Sequence, residues 1–200
     1  SLYSLITLAS LVLSIKSLAH NWPVSAAAGI VFICGALAFG RRQARLSDPL
    51  LTFDIFSSRI FSGGALTAGG AMFGLAGLEL LSTQKLQLVD ALSPLHAGLI
   101  ISAMALSAIP TSILGGATLH RVGFLPLISG GFLLMAAGMA LVVVSRGETL
   151  PLLVSALVLT GLGAGLAMSV SSTAIINAAP LHRTGMASGV EAVSYEFGTL

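Results

Sequence analysis

Gly98-Leu-Ile-Ile-Ser-Ala-Met-Ala-Leu-Ser-Ala-Ile-Pro110-Thr-Ser-Ile-Leu-Gly-Gly-Ala-Thr-Leu119 runs without a charged side chain. About 20 apolar residues at a rise of ~1.5 Å each cross the ~30 Å of hydrocarbon in a bilayer. The stretch lacks the period-two alternation of a barrel strand, so it reads as a membrane-spanning helix. Five more runs of the same kind flank it: 1–19, broken by Lys16; 24–40; 60–84, which contains Glu79; 122–145; and 150–178. A seventh begins near Ala187. The expected fold class is therefore all-α, a polytopic transmembrane helix bundle with six complete spans and the start of a seventh. Its organisation is two helices in 1–47, a cytoplasmic interfacial segment in 48–59, and four helices with the start of a fifth in 60–200.

Composition agrees. Hydrophobic residues are 56% of the 200 and charged residues 8%, with a mean hydropathy of +1.00. A water-soluble domain has about a quarter of its residues charged, so the solvent is lipid. The net charge of +2 is spread too thinly to track phosphates, which excludes a nucleic-acid partner. Cys34, the single cysteine, has no partner for an intrachain disulfide and is expected as a small buried hydrophobe. The chain starts at Ser1 without a signal-peptide pattern, and Leu200 falls inside a run that has only begun. The expectation is a piece of a longer protein.

The connections set orientation. Arg41, Arg42, Arg45, Arg59, Arg121 and Arg183 fall on one side, against Lys16, Lys85 and Arg146 on the other. Six basic residues against three predict that the first side is cytoplasmic. Trp22 then lies at the outer interface, where indoles anchor. Ser93-Pro94 spells a helix start, with serine as cap and proline at the first helical position. Ser47-Asp48-Pro49 starts a segment, 50–56, too short to span and expected to lie along the membrane surface.

Gly70 and Gly74 have GxxxG spacing, as do Gly161 and Gly165, while Gly63-Gly64, Gly115-Gly116 and Gly130-Gly131 are doublets. Small residues let helices approach in lipid, and some glycines would let helices slide in a rocking bundle. Gly161-Leu-Gly163-Ala-Gly165 follows no strand and does not match a dinucleotide loop. Pro110 predicts a kink.

Ionisable groups inside spans are costly and are functional candidates. Glu79 is expected about 7–8 Å below the outer interface, five residues from the end of its run. Ser188-Gly-Val-Glu191 has capping-box spacing. A helix starting there puts Glu196 about 12 Å along its axis, deep enough to require a cavity, a partner or a cation. Tyr195 adjoins it and shares a face with Glu191. His20, His96, His120 and His182 sit at span ends without metal-ligand spacing, and no enzyme constellation is present.

Three stretches carry a resemblance: Asp48-Pro-Leu-Leu-Thr-Phe-Asp54-Ile-Phe56, Gln87-Leu-Val-Asp-Ala-Leu-Ser93-Pro94-Leu-His-Ala97-Gly98 and Pro180-Leu-His-Arg183-Thr-Gly185-Met-Ala187-Ser188-Gly189. In order and spacing the chain resembles the fourteen-helix drug:proton antiporter family of the major facilitator superfamily, and within it the methyl viologen and quaternary ammonium exporters. The resemblance implies helices seven to twelve and the opening of thirteen, with residues 1–47 as the extra central pair. It implies a bacterial inner-membrane exporter of lipophilic, cationic compounds, driven by the proton gradient without a cofactor and completed by an N-terminal half. Glu196, Glu191, Glu79 and Tyr195 would bind substrate or proton. Gly116-Ala-Thr-Leu-His120-Arg121-Val-Gly123 resembles the superfamily's cytoplasmic loop motif, with His120 in place of its aspartate. The alternatives are an uptake or metabolite carrier of the same superfamily and a truncated membrane module without transport.

Overall fold

The computed structural model describes residues 9–10, 22–43, 53–144 and 149–200. The first predicted span, with Lys16, lies almost wholly outside the described residues, as do 44–52 and the 145–148 connection with Arg146 and Glu148. The chain divides into two compact units, residues 1–53 with Leu200, and Asp54–Thr199. In the first, α1 (Trp22–Gln43) realises the second predicted run and carries an apolar stretch over Gly29–Ala38. Cys34 is exposed on it. The expectation of a buried thiol is corrected, because in lipid an outward apolar side chain is as well solvated as an inward one.

A 3-10 turn, Phe53–Ser57, spans the boundary, and the second unit continues with α2 (Arg59–Gln84), α3 (Pro94–Val122), α4 (Phe124–Val144) and α5 (Leu150–Ala178). A 3-10 turn, Leu181–Arg183, leads into α6 (Thr184–Thr199). Among the described residues, four helical stretches are long and apolar enough to cross a membrane: Arg59–Val89, Pro94–Val122, Phe124–Val144 and Leu150–Ala178. The helix starts follow the sequence closely. Ser93 caps α3, accepting from the His96 N–H at 3.4 Å, with Pro94 behind it. Ser58 caps α2 through the Phe61 N–H in the same way. Gly123 ends α3 at φ +87, a left-handed value that favours glycine, and α4 begins at the next residue.

The C-terminal end of α2 departs from expectation. The helix continues past Gln84 through one π-helical stretch, Lys85–Val89, closed by the Leu92 N–H on the Leu86 carbonyl at 2.9 Å and by Ala91 at φ +52. Lys85 pairs with Asp90 at 2.8 Å across this end. Glu79 is therefore ten residues from the end of this helical stretch, about 15 Å along the axis. The segment before α2 also differs in part. Ile55 turns inward onto Phe61, Ile175 and Ala187, while Phe56 stays at the surface and meets the Phe61 ring edge-on at 5.4 Å.

α5 is the axis of the unit, packed on α2, α3 and α4. Its register with α3 is regular: Gly161 faces Met104, Gly165 faces Ala108, and the Ser169 hydroxyl donates to the Ser112 carbonyl at 2.7 Å. Both numbers rise together in steps of four, so the two helices run parallel. A Cβ on Gly161 or Gly165 would fall against the Met104 or Ala108 carbonyl. Against α4 the direction reverses, with Gly131 on Gly163 and Ala167, and Gly138 on Ala156 and Thr160. α2 crosses antiparallel to α5, Gly64 meeting Ser171 and Ile175. α6 runs parallel to α2, Ser194 beside Gly69 and Gly198 beside Met72 and Phe73. Lipid tails provide no hydrophobic drive for these contacts, so dispersion across close backbones and interhelical hydrogen bonds must hold them.

Candidate functional site

α6 starts at Thr184, after Arg183, four residues earlier than the capping-box spacing implies. The Ser188 hydroxyl donates back to the Thr184 carbonyl at 3.1 Å and caps nothing. This corrects the capping reading and frees Glu191 from it. Counted from Thr184, Glu191 lies about 10 Å and Glu196 about 18 Å along the helix.

The Tyr195 hydroxyl donates to Glu191 Oε1 at 2.9 Å. This i, i+4 pair sits on the side of α6 where Tyr195, half-buried, packs with Val190 against Ala68, Ile175 and Ala187. Ser171 of α5, fully buried, donates its hydroxyl to the Met168 carbonyl of its own helix at 2.9 Å. α2, α5 and α6 thus meet around the Tyr195 ring, while the Glu191 carboxylate is held within α6.

Glu196 is not part of this cluster. Five residues from Glu191, it is rotated about 140° around the helix and is exposed. Among the described residues no hydrogen bond reaches its carboxylate, although its carbonyl accepts from Thr199. Glu79 is exposed as well, and its carbonyl accepts from Thr83 at 2.7 Å. With Ser194 level with Gly69, Glu79 stands about 20 Å along the bundle from Glu191 and about 12 Å from the level of Glu196. Of the four expected residues, the structure brings together Glu191 and Tyr195 and separates the other two.

The loop-motif residues end α3. His120 and Arg121 occupy its last turn, both exposed, where positive charge suits the unpaired carbonyls. Gly123 makes the turn, and Gly116 meets only the Ser169 hydroxyl, at an ordinary 3.7 Å for an added Cβ.

Membrane-length helices joined by short turns and packed through glycine define a multi-pass integral membrane protein. Residues 54–200 match the family described as Sugar (and other) transporter, and the chain belongs to that family of the major facilitator superfamily. It is 31% identical to the multidrug efflux pump LfrA of Mycolicibacterium smegmatis, across 98% of this chain and 40% of that protein. It is 31% identical to the methyl viologen resistance protein SmvA of Salmonella typhimurium, across 88% of this chain and 36% of that one. It is 34% identical to the puromycin resistance protein pur8 of Streptomyces alboniger, across 77% and 32%. The chain thus spans well under half the length of these relatives. The helices and the bacterial kinship make it a multi-pass protein of the bacterial plasma membrane.

Proposed function

We propose that the full-length protein exports lipophilic, cationic small molecules in exchange for protons, and that Glu191, Tyr195 and Glu196 supply groups for the cation or proton. The hydrogen-bonded Glu191–Tyr195 pair carries this reading. A carboxylate at membrane depth is expensive unless it is partnered, faces water or meets a cation, and such a group is suited to exchanging charge. The names of LfrA and SmvA, efflux and methyl viologen resistance, support the direction and the substrate class.

Glu79 is assigned a secondary position towards the outer face, and the α3–α4 turn with Gly116, His120, Arg121 and Gly123 the cytoplasmic face. The proton gradient drives the cycle without a cofactor. Remaining helices of the same protein complete the site, since substrates in such folds bind between repeats that rock against each other.

The test is transport by the full-length protein in liposomes, with a fluorescent lipophilic cation and an imposed pH gradient. Glu191→Gln and Glu196→Gln should each lower efflux at least about tenfold, as expected when an intramembrane charge is removed, at unchanged protein yield. Wild-type rates in both variants would refute the assignment.

A further inference from the structure

Three uncommon features fall together between Ser82 and Ala91, at the C-terminal end of α2. The Lys85 N–H is shared between the Leu81 and Ser82 carbonyls, and the helix then widens, so that the Asp90 N–H reaches back to the Lys85 carbonyl at 3.1 Å. Such i→i+5 turns are rare and occur mostly as single turns inserted into α-helices. Ala91 follows at φ +52, where a Cβ crowds the next carbonyl. The Ser82 hydroxyl, 3% exposed, has no hydrogen-bond partner among the described residues, which is costly in apolar surroundings. Among the described residues this is also the one π-helical stretch, and Ala91 the one non-glycine residue at positive φ.

One side-chain contact favours this arrangement. Lys85 Nζ meets Asp90 Oδ2 at 2.8 Å. On an α-helix residues five apart stand about 140° apart around the axis, so this ion pair belongs to the π-helical turn. An exposed pair shifts an equilibrium by at most about fivefold, and a left-handed alanine opposes it by as much or more. An α-helical winding of the same residues therefore lies close in free energy. In that winding the Val89 N–H would meet the Lys85 carbonyl and the Asp90 N–H the Leu86 carbonyl. The end would turn about 100° further and rise about 1.5 Å. Lys85 and Asp90 would part, and the connection could turn without a left-handed residue at Ala91.

The geometry points to a two-state joint: Lys85–Val89 switches between the π-helical turn seen here and an α-helical turn, carrying the Asp90–Ser93 connection round with it. Only Ala91, Leu92 and Ser93 separate the joint's Asp90 cap from α3 at Pro94. Leu78 and Leu86 of α2 share one apolar cluster with Ala97 of α3 and Leu153 of α5, so the swing is felt where the three helices meet. Gly64 and Gly161, which hold α2 and α3 on α5, lie well away from it along the helices. The joint does not depend on which carboxylate binds cation or proton.

Pulsed dipolar spectroscopy tests it on the full-length protein in lipid nanodiscs, with native cysteines replaced by serine and spin labels at the exposed Val89 and Val143. This parent should show two label distances, one for each winding. Ala91→Gly removes the crowding Cβ and should cut the second population about fivefold. Ala91→Val adds a branched side chain that the left-handed region excludes and should enlarge that population roughly fivefold. Asp90→Asn removes the ion pair and should enlarge it by at most about fivefold. Ala91 and Asp90 are both exposed, so these changes leave the packed core intact. A single distance common to the parent, Ala91→Gly and Ala91→Val overturns the joint, as does a second population of equal size in all three.

Discussion

Replacing Gly161 by alanine tests how the bundle is held. A Cβ there would fall on the Met104 carbonyl oxygen and the Ser107 hydroxyl, with the Met104 carbonyl carbon at 2.9 Å, where ordinary contact begins at 3.4 Å. The obstruction is backbone, which cannot swing aside, so α3 and α5 must part by roughly 1 Å, a gap that forfeits a quarter to a half of each contact's attraction. The Ser169–Ser112 and Ser107–Val158 bonds, now 2.7 and 3.1 Å, would stretch beyond useful length, at about 0.6 kcal/mol each. Strain of this kind costs about 1–3 kcal/mol, and alanine's helix preference returns about 1 kcal/mol. The net loss is about 2 kcal/mol, a fall in melting temperature of a few degrees. Gly130→Ala is the control, because nothing lies within 4 Å of a Cβ at that position. Thermal unfolding of the detergent-solubilised full-length protein, followed by loss of the monodisperse peak, should separate the two variants. Equal melting temperatures would refute the view that close backbone contact at Gly161 holds α3 on α5.

Two further outcomes concern the C-terminal end of α2. Ala91 holds φ +52, a left-handed conformation that costs a residue with a Cβ about 1 kcal/mol, so Ala91→Gly should raise the melting temperature by a few degrees in the same assay. The Lys85–Asp90 pair is partly exposed, at 28% and 38%, and exposed pairs contribute ~0–1 kcal/mol. Asp90→Asn should therefore leave the melting temperature within about 2 °C of wild type, and a larger fall would mean that the π-helical end depends on this ion pair.

Much of the helix layout was legible because the bilayer constrains it strongly. The runs at 60–84, 98–119, 122–145 and 150–178 all became helices within a few residues of their expected limits, and Ser93-Pro94 began α3 as its chemistry requires. Unpaired backbone cannot face hydrocarbon, so length and apolarity suffice to find a span. Helix ends were less legible where no cap is spelled out. A π-helical continuation carried α2 to Val89, and α6 began at Thr184 rather than at the serine with capping spacing.

Which side of each helix faces its neighbour was settled by packing alone. Gly161 and Gly165 lie backbone to backbone on α3, whereas Gly70 and Gly74, with the same spacing, meet only the Phe132 ring and the Met135 and Met139 methyl ends. In the Gly63-Gly64 and Gly130-Gly131 doublets the second glycine packs against α5 while the first has no neighbour within 4 Å. The sequence determined that these helices cross a membrane, roughly where each does so, and which family they belong to. The tertiary structure decided that α5 is the axis and that Glu191, not Glu196, shares a hydrogen bond with Tyr195. Lipid and protein interior are equally apolar, so a membrane helix carries no polar stripe to mark its outward face. Only the fit of one backbone against another determines which residues meet.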